Sequence, residues 1–247
     1  RQWQEKAKIA RLSRVLPIMK RPAPLLILLA LSGILHADDW PQWLGPQRDA
    51  VWRETGIIDR FPEGGPKVRW RVPVGGGYTG PAVAGGKVYL MDRKPADGAK
   101  APQSAFQRRI LWTHEYDCPY DISYAGGPRV TPLVSGGKVY TVGAMGNLFC
   151  LDVQTGKVLW SHDYKTDYHA SIPIWGSAGH PLLEGNKLIC IVGGEGSVAV
   201  AFDKDSGKEL WRALSAREPG YCPPTLINSG GTKQVIIWHP QAVSSLD

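Results

Sequence analysis

The same ten-residue pattern occurs twice in this chain, fifty-one residues apart. Leu151-Asp152-Val153-Gln154-Thr155-Gly156-Lys157-Val158-Leu159-Trp160 returns as Phe202-Asp203-Lys204-Asp205-Ser206-Gly207-Lys208-Glu209-Leu210-Trp211. Each copy reads as the end of one strand, a tight reversal and the next strand. Asp opening a turn can accept hydrogen bonds from the backbone ahead of it, and Gly tolerates the positive φ of a hairpin turn. The Trp lies at a fixed distance along the outgoing strand, where its flat side chain can cover a neighbouring sheet. One copy would be a good hairpin turn and nothing more. Two in register, each closed by Trp, make the chain a repeat.

A second marker set falls between the first. Pro81-Ala82-Val83-Ala84-Gly85-Gly86-Lys87-Val88-Tyr89 is matched by Pro132 to Tyr140 and by Pro181 to Ile189, with a looser copy from Pro224 through Gly230-Gly231 to Ile236. Each reads as strand, Gly-rich turn, strand, with Pro at the strand start, where a missing backbone donor is tolerated. Combining the sets predicts strands at 129–135, 138–144, 147–152 and 157–162, then at 180–184, 187–193, 197–203 and 208–213. Four antiparallel strands in about fifty residues are the pattern of a propeller blade. The expected fold is therefore all-β, a β-propeller with Trp112, Trp160 and Trp211 at three blade ends and Asp152, Gly156, Asp203 and Gly207 forming the docking turns.

The pattern also has edges. The first unit carries a polar, turn-rich stretch from Asp92 to Pro102 and lacks the Asp-turn before Trp112, so its outer hairpin is expected to be shortened or rebuilt as a loop. The fourth stops at Val243-Ser244-Ser245-Leu246-Asp247, where the next turn would begin. About three and a half blades cannot close a ring of 4 to 8, so the chain is expected to be an incomplete propeller. The organisation is a basic extension and secretory signal over 1–37, a Trp- and Pro-rich lead-in over 38–67, and blades over 68–247.

Charge and cysteine usage bear on compartment. Of the formal net charge of +7, nearly all sits in residues 1–21, which hold seven basic groups and one acidic one. The body is close to neutral, which argues against a nucleic-acid partner. The basic stretch leads into Leu25-Leu26-Ile27-Leu28-Leu29-Ala30-Leu31 and a small residue, Ala37, before Asp38-Asp39, the order of a secretory signal. Met19 suits a start site, and an uncleaved anchor stays open as the alternative; a membrane would be met only through this segment. Either way the body is expected to be periplasmic or secreted. Of the four cysteines, Cys150 and Cys190 sit in apolar strand runs as core residues. Cys118 and Cys222 each precede Pro in a loop and are the pair an oxidising compartment could join. No cysteine or histidine spacing marks a metal site.

These residues resemble the PQQ-like β-propeller repeat proteins, the superfamily of the quinoprotein alcohol dehydrogenases and of an outer-membrane assembly propeller. Asp152 to Trp160, Asp203 to Trp211 and the Gly-Lys-Val-Tyr strands carry the resemblance, and Trp40-Pro41-Gln42-Trp43 with Gly45-Pro46 and Arg48-Asp49 is similar to secreted bacterial members. It covers residues 39–247 and implies fold more than activity. A catalytic member would imply PQQ held in a ring sandwich that commonly includes adjacent cysteines, Ca²⁺ on oxygen ligands and a carboxylate base. Here no two cysteines adjoin, and no dense acidic cluster occurs at the loops, so no catalytic or metal residue is assigned.

A site is expected on the loops from each Trp to the next inner strand, which line a propeller mouth. The first such loop carries His114, Tyr116, Asp117, Tyr120, Tyr124 and Arg129; the next offers His169, Trp175 and His180, then Tyr221, with His239 on the following strand. From these Asp117, Tyr124, Arg129, Trp175, His180, Tyr221 and His239 are the candidate ligand-binding residues. Aromatics with Arg and His suit a planar anion such as a quinone or sugar acid, and also suit plain packing between blades. The leading expectation is a scaffold binding a small molecule or protein at its mouth. The alternatives are a PQQ- and calcium-dependent alcohol or sugar dehydrogenase, and an outer-membrane assembly factor taking extended peptides at blade edges.

Overall fold

The computed structural model describes residues 3–11, 38–94, 109–120 and 126–247. Most of the expected signal segment, the turn-rich stretch after Lys94 and Tyr124 lie outside them. The first sheet contains β1 (Trp3–Arg11), β2 (Ala82–Ala84), β3 (Lys87–Lys94) and β4 (Asp117–Tyr120), in the order β2-β3-β1-β4. The second runs β5 (Leu133–Ser135), β6 (Lys138–Val142), β7 (Asn147–Asp152), β8 (Val158–Asp163), each strand beside the next. The third repeats that meander with β9 (Leu182–Glu184), β10 (Lys187–Ile191), β11 (Ala199–Asp203) and β12 (Glu209–Ala213). β13 (Thr225–Ser229), β14 (Thr232–His239) and β15 (Ala242–Leu246) form a three-stranded fourth sheet. All pairings are antiparallel. This is the expected incomplete β-propeller.

The repeated turn has the geometry its residues call for. Oδ1 of Asp152 accepts from the backbone N–H of Gln154 at 3.0 Å and of Thr155 at 2.8 Å, and from the Thr155 hydroxyl at 2.7 Å. Asp203 repeats this with Asp205, Ser206 and the Ser206 hydroxyl. Gly156 and Gly207 follow at φ 72° and 74°. Both turns are preceded by a register shift at the same place, between Cys150 and Leu151 and between Ala201 and Phe202, a bulge that adds local twist.

Each turn receives the indole of the preceding unit. Trp112 donates Nε1–H to the Val153 carbonyl at 3.1 Å, and Trp160 donates to that of Lys204 at 3.2 Å. A Cβ on Gly156 would run into the Trp112 ring, and one on Gly207 would lie 2.6 Å from Trp160. Glycine is thus required twice over, by backbone conformation and by the docked ring. His162 adds to the second joint, bridging Asp167 at 3.0 Å and the Gly207 carbonyl at 2.8 Å.

Between the sheets lies the core. Leu133, Tyr140, Val142, Leu148 and Cys150 of the second sheet pack against Leu188, Cys190, Val200 and Phe202 of the third. Fully burying each of the larger side chains is worth about 1.5–3 kcal/mol. Burial pushes the Cys150 and Cys190 thiols up to about 12, as expected of core cysteines. Cys118 and Cys222 form no disulfide. They are not joined because β4 places one in the first sheet while the other leads into the fourth.

The first unit differs from its sequence-based expectation. Its third place is taken by Trp3–Arg11, which pairs with β3 on one side and β4 on the other. Trp112 lies in no strand yet is buried and docked, and strands begin at Ala82, later than the regular pattern from Val68 suggests. A five-residue helix, α1 (Tyr164–Tyr168), also occupies the loop after β8, capped by Asp163, whose side chain accepts from the Lys165 and Thr166 N–H groups. Among the described residues no helix is long and apolar enough to cross a membrane.

Candidate functional site

The lead-in segment runs beside the innermost strands of all four sheets. Asp39 accepts from Gly85 N–H at 3.0 Å, Trp40 pairs with Val83 through both backbone groups, and the Pro41 carbonyl takes Val134 N–H at 2.8 Å. Arg48 then donates to the Pro181 carbonyl at 2.7 Å and the Pro224 carbonyl at 3.2 Å. These contacts occupy strand edges that would otherwise present unpaired backbone groups to the centre of the propeller.

Beside this segment is a cavity of about 500 Å³ whose walls include Trp40, Trp43, Tyr78, Arg129, Thr131 and His180. Position follows directly from the repeat. Arg129 and Thr131 precede β5, and His180 precedes β9, so both loops deliver side chains at the starts of inner strands. Trp43 stacks on His180 with ring centroids 4.8 Å apart and planes at 26°. Arg48 lies over Trp43 at 5.5 Å, and Arg129 over Tyr78 at 5.3 Å. Arg129 is buried and donates to the Gly127 carbonyl.

Electrostatics follow from this burial. Desolvation, and then the nearby Arg48 charge, lower His180 from its usual 6.5 to about 4, so its imidazole is neutral at pH 7. Its Nδ1 is buried without a hydrogen-bond partner. Desolvation lowers Arg48 to about 10, which leaves it charged. The cavity therefore combines cationic guanidinium, a neutral imidazole with an unused nitrogen, and indole and phenol faces. That set can hold a flat group bearing a carboxylate or similar anion.

Of the candidates read from sequence, the structure brings Arg129 and His180 into one cavity. It does not bring the other described candidates there. Trp175 and Tyr221 pair with each other, centroids 5.5 Å apart. His239 is buried at the end of β14, where its backbone abuts Gly220. Asp117 lies exposed on β4, in the strand paired with β1. His114 and Tyr116 pack on Phe149, each at 4.8 Å, inside the joint between first and second sheets. Trp43, Arg48, Tyr78 and Thr131 were not singled out. The Trp-Pro-Gln-Trp lead-in was the available signal, but nothing local ties Arg48 to Pro181, 133 residues away.

Three comparisons with known proteins bear on this arrangement. The chain is 28% identical over 119 residues to the quinoprotein ethanol dehydrogenase of Pseudomonas aeruginosa, covering 46% of this chain and 18% of that protein. It is 31% identical over 124 residues to the quinohemoprotein alcohol dehydrogenase ADH-IIG of Pseudomonas putida, covering 47% and 17%. It thus spans less than a fifth of either relative. Among solved structures, BamB from Moraxella catarrhalis matches at 20% identity and TM-score 0.36, covering 63% of this chain and 40% of that one. The Pseudomonas putida ADHIIG structure matches at 18% identity and TM-score 0.41, covering 68% and 29%. Residues 62–224, most of the chain, match the PQQ-repeat family model described as outer membrane protein assembly factor BamB; with its repeated blades and docked indoles, this chain belongs to the PQQ-like β-propeller family.

Proposed function

We propose that this chain belongs to an extracytoplasmic propeller scaffold whose axial cavity binds a planar, anionic small molecule. The observation that carries this reading is the convergence of Arg129, His180 with its unused Nδ1, and the Trp40, Trp43 and Tyr78 rings on one cavity of about 500 Å³. An arginine held by a backbone carbonyl keeps donors in a fixed fork, and a guanidinium is suited to a carboxylate. The aromatic walls supply stacking area and exclude water from that contact.

A second reading, a dehydrogenase using PQQ and calcium, is favoured by the names of the two relatives. The cavity's aromatic walls and Arg129 suit the flat, carboxylate-bearing quinone. Calcium wants six to eight oxygen ligands, and among the described residues no three His, Cys, Asp or Glu side chains cluster to hold a metal. The residues present therefore do not fit the complete cofactor pair, and no catalytic step is assigned to them. A third reading, outer-membrane assembly, draws on the family description; the β15 edge would be the place for an added strand.

One titration separates the first two readings. The protein is titrated with PQQ, with and without Ca²⁺, following quinone absorbance and dye reduction by alcohols. The scaffold reading expects saturable, calcium-independent binding that weakens by about tenfold or more in Arg129→Ala and His180→Ala, without turnover. Dye reduction would establish the dehydrogenase instead. Normal binding in both variants would overturn the site.

A further inference from the structure

A second, chemically different depression lies between the loops that follow the second and third sheets. It measures about 430 Å³ and is walled by His169 and Ser171 after α1, Glu195 between β10 and β11, Ser215 and Arg217 after β12, and Gln241 between β14 and β15. None of these residues belongs to the axial cavity. Glu195 and Arg217 share the groove but form no ion pair, and with His169 their side chains make no hydrogen bond among the described residues. Ser215 Oγ accepts from Gly196 N–H at 2.8 Å, and Gln241 Oε1 accepts from Arg217 N–H at 3.3 Å. The Ser215 hydroxyl proton and the Gln241 amide donors are left to face the groove.

The loops are held in shape rather than loosely draped. His169 and Leu214, one on each loop, sit at φ 52° and 69°, a conformation that non-glycine residues keep only when their surroundings impose it. Gly193 leaves room for Pro219 and Ala170 to close in, a Cβ there falling 3.2 and 3.3 Å from them. Further along the same two loops stand Trp175 and Tyr221, linked by a hydrogen bond from Trp175 N–H to the Tyr221 hydroxyl at 3.4 Å, their planes tilted by 32°. Trp175 is 50% exposed, so its indole is offered to solvent. Ser171 precedes Trp175, and Arg217 precedes Tyr221, by four residues, a span of at most about 14 Å. The aromatic pair is thus tethered by both loops close to the groove's walls.

We propose that this surface is a carbohydrate site, taking a neutral oligosaccharide of two or three units with its hydroxyls in the groove and a sugar face on Trp175 and Tyr221. A sugar hydroxyl both donates and accepts, which suits walls that mix a carboxylate, a guanidinium, an imidazole, an amide and hydroxyls. Opposite charges in one groove leave little net field to select a cation or an anion, and exposed charges are screened by salt. The C–H face of a sugar ring is apolar and flat, and an exposed indole beside a phenol gives it a matching platform.

The test uses the full chain and three probes, cellotriose, maltotriose and mannotriose, followed by saturation-transfer difference NMR. At least one should bind saturably at about millimolar affinity or tighter. Trp175→Ala should weaken it by about tenfold or more, and Glu195→Gln by about threefold or more. Both positions are exposed, so melting temperatures should stay unchanged. Arg129→Ala, in the axial cavity, should leave sugar binding intact, which keeps the two sites' tests separate. No binding by any probe at about 20 mM would overturn the proposal. So would binding that both groove variants leave unaltered, or displacement of the sugar by glycylglycine, which would make the groove a zwitterion site.

Discussion

The joints between sheets and the axial cavity are built in opposite ways. At the joint between first and second sheets, a Trp from one unit meets a turn from the next, 41 residues along, and the same pieces recur at the following joint, 44 residues along. Every part belongs to the repeat. The cavity takes Arg129 and His180 from loops of unequal length and closes them with Trp40, Trp43 and Leu44 from a segment that occurs once. The joints are thus repeated along the chain, whereas the cavity depends on what is not repeated. Nearest-neighbour joints of this kind let blades be added without redesign, and the unrepeated loops and lead-in are free to vary in chemistry.

The sharpest test of that contrast is removal of a docked indole. Trp112 is buried, hydrogen-bonded and packed against Gly156. Trp112→Ala leaves a void and removes the indole's hydrogen bond to Val153, and should cost about 3–5 kcal/mol in urea unfolding followed by far-UV circular dichroism. Trp43→Ala, which removes a half-buried ring at the cavity, should cost clearly less while weakening ligand binding. The reverse order would mean that the lead-in, not the joints, holds the sheets together.

The cavity should show itself by pH more strongly than the joint at Trp112. His180 has its folded pKa lowered from 6.5 to about 4, first by desolvation and then by Arg48. Below pH 6.5 the unfolded chain gains a proton that the folded chain refuses, so stability falls as pH drops from about 6.5 to about 4 and then levels off for this group. The loss is at most about 3 kcal/mol. His114, lowered by desolvation, adds a contribution of the same sign, whereas Asp167, held low chiefly by its His162 hydrogen bond, acts only as carboxylates protonate. His180→Phe keeps a ring to stack on Trp43 and should flatten the pH 4 to 6.5 slope of the melting temperature. An unchanged slope would place the titrating group elsewhere.

How much could be read in advance divides along the same line. Asp152, Gly156 and Trp160 were legible because a turn is a local object: its Asp bonds residues two and three along, and its Gly answers to its own φ. Blade number, strand order and core cysteines followed from repetition of that object. The first sheet was less legible, since strand pairing with Trp3–Arg11 joins residues some eighty apart in sequence. Arg129 and His180 share a cavity because both stand at the starts of inner strands. Trp175, Tyr221 and His239 were grouped with them on loop position alone, and the structure separates them because a loop can turn its tip away from the axis that its base faces.

The smallest expected effect asks whether the joint depends on the turn itself or only on the ring it receives. Asp152 Oδ1 gathers two backbone N–H groups and the Thr155 hydroxyl within four residues, and none of these bonds crosses between sheets. Asp152→Ala should therefore cost about 1 kcal/mol, well below Trp112→Ala. Asp152→Asn, which keeps an accepting oxygen, should recover most of that loss. Double-mutant analysis with Trp112→Ala gives the finer reading: a turn that only presents Val153 and Gly156 to the indole predicts coupling between the two changes of about 0.5 kcal/mol or more. Strict additivity would mean that the hairpin forms, and the ring docks, independently of each other.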